Sequence, residues 1–206
     1  MTSVNTHTNI APPQNARFAE DVRDDASLVL RSSGAWTNYT ETTVDVDGYQ
    51  YVIGGETAPG PMFFILGGAH SCASVVTELA SGRLDIDLSG VHTAVLARQD
   101  DRGLADAADV QPYFYAVHLE LSVGTTTRDT TKLTELVDTT LRTCPALNLL
   151  RDANIHLTVN WSFVDELVEY DAEVRANDAW GYVSKRQPTG ELPEPFAVIT
   201  REFNAA

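Results

Sequence analysis

The feature that most constrains this chain is the apolar run at residues 59–79, PGPMFFILGGAHSCASVVTEL. The triplet Pro59-Gly60-Pro61 marks a turn followed by a helix start, because proline is tolerated in a first helical turn whose N–H groups are unpaired anyway. Residues 61–69 carry no charge and no hydrogen-bonding side chain, so nearly every face of this helix can be buried. The prolines, the glycines and the polar residues from His70 onward argue against a membrane span. We therefore predict a central helix, ending near residue 82, that other elements surround.

The composition limits the class of protein. At 206 residues, with 43% hydrophobic and 21% charged residues, the chain suits one globular domain with appendages. The formal charge of −15 disfavours nucleic acid and anionic membranes as partners. The first 20 residues lack the apolar segment of a signal peptide, and two cysteines without such a signal fit a reducing compartment. We therefore expect a cytoplasmic protein.

The remaining patterns predict strands clustered around the central helix. Residues 40–52 indicate a hairpin, because the pair Asp47-Gly48 separates β-branched and aromatic runs and suits a two-residue turn with positive φ. Further extended segments are expected at 27–31, 84–88, 91–98, 113–123 and 155–161, and helices at 129–142, 146–152 and 163–176. Strands that cluster rather than alternate with helices predict an α+β fold. The domain would span residues 23–162, between a flexible arm at 1–22 and, at 163–206, an acidic helix followed by a tail on the surface or on a partner chain.

Two cysteines are the candidates for chemistry. Cys144 directly precedes Pro145, which suits the first position of a helix, so the thiol lies at an N-cap where the helix dipole should lower its pKa. Cys72 lies in an apolar helix, which disfavours a thiolate unless a cation is near. The alternative is that both are small core residues, because free cysteine is among the most buried residue types. Composition and position alone leave both interpretations open.

The histidines predict no metal site. His70 lies two residues before Cys72, roughly 200° around a helix, so we expect a hydrogen-bonded core histidine rather than a base for the thiol. His92, His118 and His156 lie on predicted strands at no metal-ligand spacing. The sequence also lacks the serine-hydrolase elbow, the P-loop and the dinucleotide-binding glycine motif.

Three motifs occur in a fixed order. Gly-x-x-x-x-Gly-Pro stands at residues 55–61, Cys72 follows in the apolar helix, and Cys144-Pro145-Ala146-Leu147 comes 72 residues later. Their order and spacing resemble the OsmC/Ohr family of bacterial thiol peroxidases, over about residues 27–161. The resemblance implies a β-sheet wrapped around a long buried central helix, and an intertwined homodimer with its sites at the interface. It implies no metal or organic cofactor.

The resemblance also implies a mechanism. Cys72 would be the peroxidatic cysteine, whose thiolate attacks the O–O bond of a hydroperoxide and becomes a sulfenic acid. Cys144 would resolve it to a disulfide, which an external dithiol then reduces. The apolar side chains of Met62, Phe63 and Ile65 would line the substrate pocket and suit organic hydroperoxides.

The chain departs from the family pattern at Met62. The family's peroxidases carry a glutamate there, ten residues before the peroxidatic cysteine, and it holds an arginine that keeps the thiolate charged. Arg31 is the nearest candidate for that arginine. The first hypothesis is a hydroperoxide reductase of oxidative-stress defence. The second, which Met62 favours, is an OsmC-fold protein that binds a small hydrophobic ligand in the dimer-interface pocket without turnover. The third is a structural dimer with no small-molecule role.

Overall fold

The computed structural model describes residues 32–38, 40–46, 48–167 and 193–205. Four features named in the sequence analysis lie outside the described residues. They are the arm at 1–22, the strand at 27–31, Arg31 and most of the acidic helix at 163–176. Within the described ranges the chain forms two compact units, the first ending at Phe63 and the second beginning at Phe64.

The first unit contains a three-stranded antiparallel sheet in the order β1-β2-β3. Its strands are β1 (Ser32–Asn38), β2 (Glu41–Val46) and β3 (Tyr49–Gly54). Val46 pairs with Tyr49, which leaves two residues for the turn, and Gly48 has a φ of +83°. The Gly48 N–H donates to Asp45 Oδ1 at 3.2 Å. The predicted hairpin is confirmed.

Two consecutive glycines lie where the chain leaves this sheet. Gly54 and Gly55 both have positive φ, at +79° and +68°. A Cβ on Gly54 would collide with the backbone carbonyl oxygen of Thr40, and the Gly55 N–H donates to that same oxygen at 3.0 Å. A side chain at Gly54 would therefore break the backbone contact that begins the Gly-x-x-x-x-Gly-Pro stretch.

The predicted central helix is α1 (Pro61–Arg83). Its buried positions form one stripe of small residues: Ala69, Ala73, Thr77, Ala80 and Ser81. Small side chains three or four residues apart let neighbouring elements approach closely. The other faces stay apolar and open, since Ile65, Val75 and Leu79 are 50–54% exposed. The single chain therefore buries one side of a helix that is apolar on most sides.

By length and composition alone, α1 is apolar enough to cross a membrane, the one such helix among the described residues. Its side chains nevertheless contact the protein interior. His70 meets Thr93, Cys72 meets Cys144, and Thr77 meets Thr140. These three contacts join α1 to other parts of the same chain.

The second unit contains a four-stranded sheet in the order β4-β5-β6-β7. Its strands are β4 (Gly90–Gln99), β5 (Phe114–Gly124), β6 (His156–Val164) and β7 (Ala197–Phe203). The outer pairs are antiparallel and β5 is parallel to β6. A parallel pair needs a crossover, which α3 (Thr130–Thr143) and α4 (Pro145–Asp152) supply. The short helix α2 (Asp101–Leu104) lies in the connection between β4 and β5.

The core of the second unit lies on one face of this sheet. Alternate residues of β6 are fully buried, and so are the matching residues of β5. The buried β6 set is Leu157, Val159, Trp161 and Phe163. The apolar stripe of α3 is buried as well, namely Leu133, Leu136, Val137, Thr140 and Leu141. Strands that bury every second residue and a helix that buries one face at 3.6-residue spacing therefore share one core. The α+β class is confirmed.

Two predictions near the ends of these elements are wrong. Residues 84–88 form no strand. The N–H of Leu84 donates to Ala80 O and that of Ile86 to Ser81 O, so these residues continue from the last turn of α1. Phe163 and Val164 continue β6 rather than beginning a helix.

The prediction of a surface tail is also wrong for residues 197–203. Residues 197–203 pair with β6 as an edge strand, with Trp161 opposite Ile199. The strand alternates in exposure, because Val198, Thr200 and Glu202 face solvent while their neighbours are half-buried. The sheet of the second unit therefore includes a strand beyond the predicted domain boundary at residue 162.

Candidate active site

The two cysteines lie together in the second unit. The Sγ atoms of Cys72 and Cys144 are 3.6 Å apart, with the Cys144 thiol donating toward the Cys72 sulfur. Both are free thiols; Cys72 is half-buried and Cys144 is fully buried. A disulfide needs an S–S distance of about 2.05 Å, so an approach of about 1.5 Å would join them. Two residues that lie 72 positions apart thus form one dithiol.

Packing between α1 and α3 positions this pair. The Thr140 hydroxyl of α3 donates to Thr77 Oγ1 of α1 at 3.5 Å, and the Thr77 hydroxyl donates to the Ala73 carbonyl at 2.8 Å. Thr77 and Thr140 are both fully buried. The Thr140–Thr77 bond connects the two helices about one turn away from each cysteine. Sequence pattern alone does not identify this bond between helices; its one sign is Thr140, a threonine within the apolar stripe of α3.

Cys144 is the junction of α3 and α4. Its N–H donates to Thr140 O at 2.8 Å, closing α3, and its carbonyl accepts the N–H of Asn148 at 3.1 Å, opening α4. Its extended backbone, with φ −79° and ψ 109°, precedes Pro145 at the first helical position. The predicted N-cap position of Cys144 is confirmed.

The predicted direction of the Cys144 pKa is wrong. Burial raises the pKa of this thiol to about 11, while the backbone N–H groups of Leu147 and Ala146 act to lower it. The side chain of Cys72 raises it further. The helix N-terminus therefore acts in the predicted direction, but the removal of water from a fully buried thiol outweighs it.

The predicted pocket residues lie on the first turns of α1, at different angles from Cys72. Ile65 precedes Cys72 by seven residues, which puts the two on one face, about 10 Å apart along the axis. Phe63 precedes it by nine residues and lies on the opposite side of the helix. Phe63 is 60% exposed and Met62 is half-buried. Helical spacing thus makes Ile65 the member of the predicted set that shares the face of Cys72.

His70 is the hydrogen-bonded histidine that the sequence predicts. Its Nδ1 lies 2.9 Å from Thr93 Oγ1 of β4, and burial lowers its pKa. A neutral imidazole held on β4 ties α1 to the sheet and is not placed as a base for Cys72. Across the described ranges, no group of three or more His, Cys, Asp or Glu side chains is arranged to hold a metal ion.

Known proteins share the family pattern and the fold of this chain. The family model described as OsmC-like protein matches residues 54–160, a little more than half of the chain. An OsmC-like protein from Mycoplasma pneumoniae has 17% identity and a TM-score of 0.60, over 67% of this chain and 99% of its own. A hypothetical protein from Aquifex aeolicus has 10% identity and a TM-score of 0.56, over 67% and 98%.

An OsmC-like protein of unknown function from Vibrio cholerae has 11% identity and a TM-score of 0.53, over 67% of this chain and 100% of its own. No curated protein sequence matches the chain. At these identities the solved structures establish the fold, which is the one that the resemblance implied. The family match and the shared fold together establish that this chain belongs to the OsmC-like protein family.

Proposed function

We propose that this chain is a thiol-dependent reductase of organic hydroperoxides that serves in oxidative-stress defence. Cys72 is the peroxidatic cysteine and Cys144 the resolving cysteine. The observation that carries the proposal is the 3.6 Å separation of the two sulfurs, one half-buried and one fully buried. Peroxide must reach the Cys72 thiol, whereas the Cys144 thiol needs only to contact Cys72.

The chemistry balances with these two residues and one dithiol. The Cys72 thiolate attacks the terminal oxygen of ROOH, the O–O bond breaks, and the alkoxide takes a proton to leave as ROH. The Cys144 sulfur then attacks the sulfur of Cys72-SOH, forming the disulfide and releasing the oxygen as water. The two thiols lose two electrons and the peroxide gains them. An external dithiol restores both thiols by exchange.

The burial of Cys144 determines which step is slow. With a pKa of about 11, this thiol is almost fully protonated near neutral pH. Attack on the sulfenic acid requires the thiolate, so little of the resolving nucleophile is present at any moment. Resolution should therefore limit the cycle once the peroxide has reacted.

A second copy of the chain completes the site in this proposal. Ile65, Cys72 and Leu79 follow one another at seven-residue spacing on one face of α1, and Ile65 and Leu79 are about half exposed. The family resemblance implies a homodimer whose interface lies at the peroxidatic cysteine, which supports this arrangement. Apolar cover from a partner, together with Met62 and Phe63, would form a pocket for the organic part of the peroxide. We place this chemistry in the cytoplasm, where dithiol reductants are available.

A second candidate function has one observation in its favour. A resolving thiol whose pKa is raised to about 11 is poorly prepared for rapid disulfide formation. A protein of this fold that holds a small hydrophobic ligand beside Cys72, without turnover, would need no reactive thiolate. The replacement of the family glutamate by Met62, which the resemblance implies, points the same way.

Steady-state turnover separates the two candidates. Cumene hydroperoxide would be supplied with excess dithiothreitol to the wild type and to the Cys72→Ser and Cys144→Ser variants, and peroxide loss would be followed. The proposal expects wild-type consumption well above the protein-free rate, reduction to that rate in Cys72→Ser, and slower turnover in Cys144→Ser. Wild-type consumption no faster than that of Cys72→Ser would reject the reductase and leave the ligand-binding candidate.

A further inference from the structure

A cleft on the second unit has neither Cys72 nor any other α1 residue in its lining. It has a volume of about 390 Å³ and lies where α3, α4 and β7 meet. Three arginines line it: Arg142 from α3, Arg151 from α4 and Arg201 from β7. This volume is in the range that small-molecule sites occupy.

The charge of the cleft is opposite to that of the chain. The whole protein carries a formal charge of −15, yet three of the seven arginines in the described ranges line this one cleft. A single carboxylate, Asp138, also lines it, so the lining has a formal charge of +2. Asp138 Oδ1 accepts hydrogen bonds from Nε and Nη2 of Arg201, at 3.2 and 2.9 Å. A positive concavity on an acidic protein concentrates small anions at that position.

Arg142 retains donor capacity for a ligand. Its Nη2 donates a hydrogen bond to the Thr139 hydroxyl at 3.1 Å. Across the described ranges it has no carboxylate partner, whereas Arg151 pairs with Asp152 and Arg201 with Asp138. A guanidinium offers five N–H donors in a planar fork that matches a carboxylate.

The cleft also has an apolar wall. Leu141 is 9% exposed and Phe203 is half-buried, and both line the same space as the guanidinium groups. A ligand that fills the cleft would therefore place an anionic group on the arginines and a short hydrocarbon part against Leu141 and Phe203. An inorganic anion would leave the apolar wall uncovered.

We propose that this cleft binds a small organic anion, a carboxylate with a short apolar body, with the carboxylate on Arg142. The proposal is independent of the cysteine chemistry. Asn148 also lines the cleft. Its side-chain amide donates to the Arg142 carbonyl at 3.2 Å and joins the end of α3 to α4. A bound carboxylate would thus lie at the helix junction that carries Cys144.

The probe is hexanoate, titrated into the full-length reduced protein and followed by NMR chemical shifts. Hexan-1-ol has a similar chain without the charge and serves as the ligand control. The variants are Arg142→Gln and Arg151→Gln in the cleft. Arg98→Gln is the matched control, because Arg98 is an exposed residue of β4 that lies outside the cleft lining and the change removes the same charge.

The proposal expects saturable hexanoate binding to the wild type, with a Kd on the order of 1 mM. Arg142→Gln should weaken binding by at least about tenfold, because a charge-assisted bond is lost. Arg151→Gln should weaken it in the same direction, Arg98→Gln should bind as the wild type does, and hexan-1-ol should not saturate. Equal affinity in the wild type and both cleft variants, or no saturable binding to the wild type, would overturn the proposal.

Discussion

At the scale of single residues, the acidity of the Cys144 thiol depends on its burial at the start of α4. The Cys-Pro pair predicts an N-cap, and the backbone confirms it. The pKa depends instead on how much water reaches the sulfur, and that is set by packing between elements distant in the chain. Full burial raises the pKa to about 11 although the helix N-terminus acts against it. The local sequence pattern predicted the position of the Cys144 thiol. It also predicted a lowered pKa, whereas burial raises the pKa.

The pH dependence of disulfide formation should report this pKa. Below about 11, each unit of pH raises the thiolate fraction of Cys144 about tenfold, so resolution of the Cys72 sulfenic acid should accelerate by that factor. Stopped-flow measurement of the second phase after peroxide addition, between about pH 7 and 10, gives the slope. A rate that levels off near neutral pH would mean that Cys144 is far more acidic than its burial implies.

The same shift predicts a loss of stability in alkali. The folded state keeps Cys144 neutral up to about 11, whereas the unfolded thiol ionises near its ordinary value of 9.0. The unfolded state therefore releases its proton first, and the free energy of unfolding should fall between these two values, by roughly 2–3 kcal/mol. Urea unfolding of the reduced protein at several pH values measures this fall, with Cys144→Ala as the reference. A parallel fall in both proteins would assign it to other groups.

At the scale of elements, α1 and α3 were both predictable because each carries its own signal. Proline, an apolar run and a terminal glycine mark α1, and an acidic N-cap with a 3.6-residue stripe marks α3. The buried face of α1 was not predictable, since a helix that is apolar on most sides has no preferred face. Contacts from His70 and Thr77 to other elements fix its orientation, and these partners are distant in sequence.

The N-cap of α3 gives a prediction with a matched control. Asp129 Oδ1 accepts the N–H groups of Thr131 at 2.9 Å and Lys132 at 3.3 Å. Asp129→Ala leaves both donors without this acceptor and should cost about 1 kcal/mol, or roughly 2–4 °C in Tm. Asp129→Asn keeps an acceptor oxygen and should cost much less. Thermal unfolding followed by circular dichroism compares the two, and equal Tm losses would show that the cap itself contributes little.

At the scale of the whole molecule, the sequence predicted the class of fold and the order of most elements. The edge strand β7 was missed, because its three prolines upstream suggested a surface tail and its partner β6 lies more than thirty residues earlier. The alternation within β7 was present in the sequence, but an edge strand is recognised by its partner. The exposed apolar face of α1 belongs to this scale too, since one chain leaves Val75 and Leu79 about half exposed.

A second copy of the chain should cover that face. Leu79→Glu would place a charge in the proposed interface and should shift the protein from dimer to monomer, because burying an unpaired charge costs several kcal/mol. Leu104→Glu is the control, since Leu104 lies on α2 and is 72% exposed. Sedimentation velocity reads the mass of each species. A wild type that sediments as a monomer, or a Leu79→Glu variant that remains a dimer, would remove this interface from the account.

The central claim, that Cys72 and Cys144 act as one redox pair, is tested most directly by a single turnover. Reduced protein would be mixed with one equivalent of cumene hydroperoxide in a stopped-flow instrument, and the products would be identified by mass spectrometry. We expect oxidation faster than that of a free thiol and an intramolecular Cys72–Cys144 disulfide in the wild type. Cys144→Ser should stop at the Cys72 sulfenic acid, and Cys72→Ser should not react. Oxidation at the rate of a free thiol without the disulfide would contradict the claim.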